Sequence, residues 1–129
     1  MISETDDSKG FRTMTVTIES VPGGGYTYVS DPDRIVFNAK NGPRYLTCNL
    51  ELGPNVPVDA FFQQPTYTPS QYMTDVQGVG SQQLTITFMF QDTKVDGHLT
   101  FAFGGLGEGE HRFDPQVGND PPPHTEDPC

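Results

Sequence analysis

Aspartates that precede prolines are the residues in this sequence best suited to covalent chemistry. Four such dipeptides occur, at Asp31-Pro32, Asp114-Pro115, Asp120-Pro121 and Asp127-Pro128. The aspartyl carboxyl can attack its own backbone carbonyl to form a five-membered cyclic anhydride, and the tertiary proline nitrogen leaves more readily than an ordinary amide nitrogen. Water or an amine can then open the anhydride. The alternative role is a simple turn, and we assign that role to Asp31 and Asp127.

An amine and a carboxylate that could join this chemistry follow a strand pattern in the second half of the chain. The pattern is the alternating apolar series Leu84, Ile86, Phe88 and Phe90. Asp92 and Lys94 continue it in even steps up to a favoured hairpin turn at Asp96-Gly97, which predicts that both side chains face the core. Burial would disfavour the ammonium and leave some free amine as nucleophile or base. The alternative is a hairpin tip beyond the core, with a solvated ion pair.

The stretch from Asp114 to Pro123, Asp-Pro-Gln-Val-Gly-Asn-Asp-Pro-Pro-Pro, resembles the C-terminal signature of the bacterial DP-EP family, once described as a domain of unknown function. The resemblance implies a β-sandwich that cuts its own chain at an Asp-Pro bond and joins the aspartate to a lysine side chain. A further aspartate would activate water. The implied scissile bond is Asp120-Pro121, directly after Asn119, with Asp120 as both electrophile and internal nucleophile.

The joining lysine implied by this resemblance is Lys94, because Lys9 and Lys40 are out of phase with any predicted core strand. Asp92 is the first candidate for the water-activating carboxylate and Asp96 is the second. Asn119 and Asp114 are secondary site candidates. The stretch 104–110 is then interpreted as a local insertion between the strand of the lysine and the cleavage site.

The function predicted from these residues is an autocatalytic, single-turnover Asp-Pro endopeptidase that acts on its own C-terminal tail, with an isopeptide crosslink between Lys94 and Asp120 as a second product. Whether copies of the chain also associate is left open. The alternative is a non-catalytic β-sandwich that binds a partner or assembles with itself, with the tail as an acidic linker.

Period-two alternation is the main indicator of the elements that must position these residues. It predicts about seven short strands, near residues 14–18, 25–29, 34–37, 46–52, 60–62, 84–90 and 98–103. No helical period appears, so we expect an all-β, antiparallel β-sandwich over residues 1–113 and an extended, acidic, Pro-rich tail over residues 114–129. Residues 63–82 are predicted to form a long surface loop that carries Tyr67 and Tyr72.

Composition excludes several classes of protein. The 129 residues include 7 basic and 17 acidic side chains, a formal net charge of −10, which disfavours nucleic acid and anionic membranes as partners. No apolar run approaches the roughly 20 residues of a membrane span, and residues 1–9 are acidic where a signal peptide is basic and then apolar. We therefore expect a cytoplasmic protein.

Cysteine and histidine residues suggest no cofactor and no metal. Cys48 lies in an apolar alternation and Cys129 is the last residue, so both are expected to be free thiols, with Cys48 in the core. His111 and His124 have acids nearby but no spacing typical of a metal site.

Overall fold

The period-two alternation corresponds to extended strands in the computed structural model, which describes residues 10–121. Eleven strands form, in chain order β1 (Phe11–Ser20), β2 (Tyr26–Asp31), β3 (Arg34–Phe37), β4 (Arg44–Leu52), β5 (Phe61–Phe62), β6 (Thr66–Thr68), β7 (Met73–Gln77), β8 (Gln83–Phe88), β9 (His98–Gly104), β10 (Arg112–Phe113) and β11 (Gln116–Asn119). A 3₁₀ turn, Ser70–Tyr72, is the one helical element among the described residues. The described part of the chain is all-β as predicted, with more strands than expected.

Two sheets pack against each other. The first has the order β2-β1-β4-β8-β7, and the second has the order β10-β9-β11-β3, with β5 and β6 also paired to β9. Both sheets are mixed rather than purely antiparallel, because β1 runs parallel to β4 and β3 runs parallel to β11. No helix within residues 10–121 is long and apolar enough to cross a membrane.

The core lies between the inner faces of the two sheets. Alternate residues of β1, β4 and β8 are fully buried from one side, and residues of β3, β9 and β11 are buried from the other. Cys48 is among them, as predicted, and burial raises the pKa of its thiol well above the usual range. A cluster of aromatic rings formed by Phe37, Tyr67, Phe88 and Phe90 fills the region beneath the end of β3.

The predicted hairpin across Asp96-Gly97 is wrong. Its two strands, β8 and β9, belong to different sheets, so residues 89–97 cross from one sheet to the other. Gln91 and Asp92 adopt left-handed backbone angles, with φ of 55° and 59°, which end the strand and break the alternation.

This crossing changes which side chains face inward. Val95 is buried, at an odd spacing from Phe90, whereas Lys94 is exposed and Asp92 is only half-buried. The predicted core-facing position of Lys94 is therefore also wrong.

The segment predicted as a long surface loop is largely ordered by pairing. Within residues 63–82, β6 pairs with β9 and β7 pairs with β8. Tyr67 is buried and its hydroxyl donates a hydrogen bond to the Val117 carbonyl of β11, while Tyr72 packs against the core. The loop prediction failed here because these short strands are stabilised by partners that are distant in sequence.

The first part of the predicted tail is built into the second sheet. Between β9 and β3, β11 runs parallel to β3 with Val117 fully buried. Phe113, in β10, packs against the ring of Tyr28 with centroids 6.2 Å apart. The Asp127-Pro128 bond, Lys9, His124 and Cys129 lie outside the described residues.

Candidate functional site

The parallel pairing of β3 and β11 fixes the chain immediately before the candidate cleavage site. The register runs from Arg34 opposite Gln116 to Phe37 opposite Asn119. Asp120 follows at once, and its N–H donates to the Phe37 carbonyl at 2.8 Å. The side chain of Asp120 is on the exposed surface. The backbone of this aspartate is therefore held by the sheet while its carboxyl remains at the surface.

Asn119 connects three segments through a buried side chain that is 1% exposed. Its Oδ1 accepts from the Ala39 N–H at 2.7 Å, and its Nδ2 donates to the carbonyls of Ala39 at 3.1 Å and Thr93 at 2.8 Å. Its backbone exchanges two hydrogen bonds with Val95, at 2.8 and 2.9 Å. Asn119, a secondary candidate from the sequence, therefore links the end of β11, directly before Asp120, to the segments that contain Ala39, Thr93 and Val95.

We expect Asn119→Ala to lower the free energy of unfolding by about 2 to 4 kcal/mol, because the substitution removes the hydrogen bonds to the buried N–H and C=O of Ala39 and to the partly buried carbonyl of Thr93. Denaturant unfolding measures the change. Asn41→Ala is the matched control, since Asn41 is exposed in the neighbouring loop, and it should change stability by no more than about 0.5 kcal/mol. An equal, small effect for both variants would show that the Asn119 side chain does not hold the segments together.

The carbonyl of the candidate scissile bond has its own hydrogen-bond donor. Asn38 Nδ2 lies 2.9 Å from the Asp120 carbonyl oxygen. Asn38 directly follows β3 and is exposed. A donor on this oxygen draws electron density from the carbonyl carbon and so favours attack on it by a nucleophile.

A shallow cavity of about 190 Å³ lies beside Asp120. Its walls come from β3, β11 and the crossing segment, namely Arg34, Val36, Lys94, Val95, Asp96, Gln116, Gly118, Asn119 and Asp120. The structure thus brings Lys94 and Asp96 to the same cavity as Asp120. A Cβ on Gly118 would lie 2.3 Å from the Val95 carbonyl oxygen, so glycine is what allows the segment that carries Lys94 to lie this close to β11.

The remaining candidates occupy other positions. Asp92 is half-buried and is not among the described residues that line the cavity. Asp114 is exposed, and its Asp-Pro bond leads into the buried Pro115, whose carbonyl accepts from the Leu99 N–H at 3.0 Å. Lys40 is exposed in the loop after β3. Asp96, which lines the cavity beside Asp120, is therefore better placed than Asp92 to act on a nucleophile in that cavity.

Both ring nitrogens of His111 lie within hydrogen-bonding distance of other groups of the protein. Its Nδ1 lies 3.2 Å from the Tyr28 hydroxyl and its Nε2 lies 3.2 Å from the Glu108 carbonyl oxygen. Among residues 10–121 no group of three or more His, Cys, Asp or Glu side chains is arranged to hold a metal ion.

Asn38 is the site residue that sequence reasoning missed. It has no motif around it, and its importance depends on the parallel pairing of β3 with β11, which joins positions 82 residues apart.

Comparison of the chain with protein-family models and with curated proteins found no match.

Proposed function

We propose that this protein cleaves its own Asp120-Pro121 bond. The observation that carries the proposal is the geometry of Asp120, whose N–H and carbonyl oxygen are both hydrogen-bonded while its carboxyl is at the surface. The likeness of the tail to the DP-EP signature supports the same bond. Hydrogen bonds at the Asp120 N–H and at the attacked carbonyl oxygen fix the backbone of this residue and so lower the entropic cost of ring closure.

The first step forms the anhydride. A carboxylate oxygen of Asp120 adds to the carbonyl carbon of the same residue, and the bond from that carbon to the Pro121 nitrogen then breaks. The nitrogen takes a proton from water or from the Lys94 ammonium, which lines the same cavity as Asp120. The products are a large fragment that ends in the cyclic anhydride and a peptide that begins at Pro121.

The second step opens the anhydride by one of two routes. Water adds to give a free aspartate, or Lys94 Nζ, unprotonated after it has given its proton to the Pro121 nitrogen, adds to give an amide and release one carboxylate. In either route the nucleophile loses a proton, and the Asp96 carboxylate on the cavity wall can accept it. The crosslinked fragment is lighter than the hydrolysed fragment by one water.

The dependence of the rate on protein concentration tests whether the reaction is intramolecular. The purified full chain is incubated at a low and a high concentration, and release of the peptide that begins at Pro121 is followed by mass spectrometry. Cleavage in cis predicts one first-order rate constant at both concentrations. A rate constant that rises with concentration would contradict the proposal and indicate cleavage by another molecule.

A further inference from the structure

We infer that Asn38 is a catalytic residue of the self-cleavage, because its side-chain amide contacts the oxygen that gains negative charge when the Asp120 carbonyl is attacked. The inference rests on the proposed cleavage at Asp120-Pro121. It assigns to Asn38 the role of an oxyanion donor, which nothing in the sequence motif suggests.

The hydrogen-bond ladder between β3 and β11 changes where it reaches Asp120. In a regular parallel ladder, the residue whose N–H donates to the carbonyl of residue 37 also accepts, at its own carbonyl, a hydrogen bond from the N–H of residue 39. Here the Asp120 N–H donates to Phe37 as expected, but the Ala39 N–H donates to Asn119 Oδ1 instead. The side chain of Asn38 takes its place as donor to the Asp120 carbonyl.

Because its donor is a side chain, the attacked Asp120 carbonyl is hydrogen-bonded without being held by a backbone N–H of the neighbouring strand. A side-chain amide can follow the oxygen as the carbonyl carbon changes from planar to tetrahedral, whereas a ladder N–H is fixed by its own strand. The amide orientation is set by the acceptor, because a carbonyl oxygen can only accept and so the NH₂ group of Asn38 must face it.

Arg44 stabilises the loop that carries Asn38 through hydrogen bonds to its backbone carbonyls. The guanidinium of this half-buried residue donates to three loop carbonyls, those of Asn38 at 3.5 Å, Asn41 at 3.3 Å and Pro43 at 3.0 Å. The donor is thus attached to a supported loop before the reaction begins. Such preorganisation is what makes a single donor effective at a developing negative charge.

The chemical role follows from the first step of the cleavage. When the Asp120 carboxylate adds to the carbonyl carbon, the electron pair of the C=O bond moves to the oxygen that Asn38 Nδ2 contacts. The hydrogen bond becomes charge-assisted at that point and strengthens. When the carbonyl re-forms and the bond to Pro121 breaks, the oxygen returns to its neutral state. No proton is transferred from Asn38.

Removing this donor should slow the cleavage strongly without stopping it. We expect Asn38→Ala to lower the first-order rate constant for peptide release by about 100-fold, the loss typical of one oxyanion donor. Asn38→Asp should be slower still, because a carboxylate presents negative charge to the same oxygen. The matched control is Asn41→Ala in the same loop, which should cleave at the wild-type rate.

The product ratio separates a catalytic role from damage to the site. Because water and Lys94 open the same anhydride, the ratio of hydrolysed to crosslinked fragment should be unchanged in the Asn38 variants that still react. If wild type does not cleave, the proposed function fails. If wild type cleaves and Asn38→Ala or Asn38→Asp matches Asn41→Ala in rate, the proposed function stands and the role of Asn38 is refuted.

Discussion

We expect Asp120→Ala to abolish release of the C-terminal peptide and to leave the sandwich folded. The methyl group of alanine has no carboxyl to close the anhydride ring, so the route to bond cleavage is lost rather than slowed. The exposed position of the Asp120 side chain means that its removal should change unfolding free energy by no more than about 0.5 kcal/mol. Mass spectrometry of the variant and its unfolding curve provide the two readouts.

Asp114→Ala is the matched control for this result. Asp114 also precedes a proline and is also exposed, yet the proposed mechanism gives it no part, so the variant should cleave as wild type does. If Asp120→Ala releases the same fragments as wild type, Asp120 has no part in the mechanism.

We expect Lys94→Arg to eliminate the crosslink to Asp120 while cleavage by water continues more slowly. Arginine retains the positive charge at the cavity but stays protonated, so it offers no free amine to the anhydride. Peptide mapping should find the Lys94 to Asp120 branch in wild type and only linear peptides in the variant. The large fragment of the variant should then have the mass of the hydrolysed form alone.

Lys40→Arg is the control for the identity of the joining lysine. Lys40 lies in the loop that follows β3, two residues from Asn38, and is the other lysine among residues 10–121. The crosslink should persist in Lys40→Arg. A branch mapped to Lys40, or one that survives in Lys94→Arg, would show that the cavity beside Asp120 does not select the amine.

Local pattern was sufficient to predict the core strands. The alternation at Met14, Val16 and Ile18, and again at Leu46 and Cys48, predicts burial that the structure confirms, because the side-chain direction in a strand depends only on its own backbone. The same reasoning failed at Lys94. Left-handed residues at 91 and 92 changed the phase of the alternation, and Asp96-Gly97 looked like a hairpin although its flanking strands lie in different sheets.

The contacts at the candidate site are the part that local pattern could not predict. Asn119 bonds to Ala39 across 80 residues, and Asn38 bonds to Asp120 across 82. Both depend on β11 running parallel to β3, a long-range choice that neither segment encodes alone. The Asp120-Pro121 bond could be identified from the sequence because the reactivity of an Asp-Pro bond comes from those two residues alone. The donor to its carbonyl could not be identified, because Asn38 reaches Asp120 only through the pairing of β3 with β11.

The intact mass of the purified 129-residue chain, followed during incubation, tests self-cleavage most directly. The proposal predicts a fragment that ends at Asp120 and a nine-residue peptide, residues 121–129, that begins at Pro121. The large fragment should occur in a hydrolysed form and in a form lighter by one water. A single uncut species at 14.2 kDa throughout the incubation would contradict the proposal and favour a non-catalytic β-sandwich with an acidic tail.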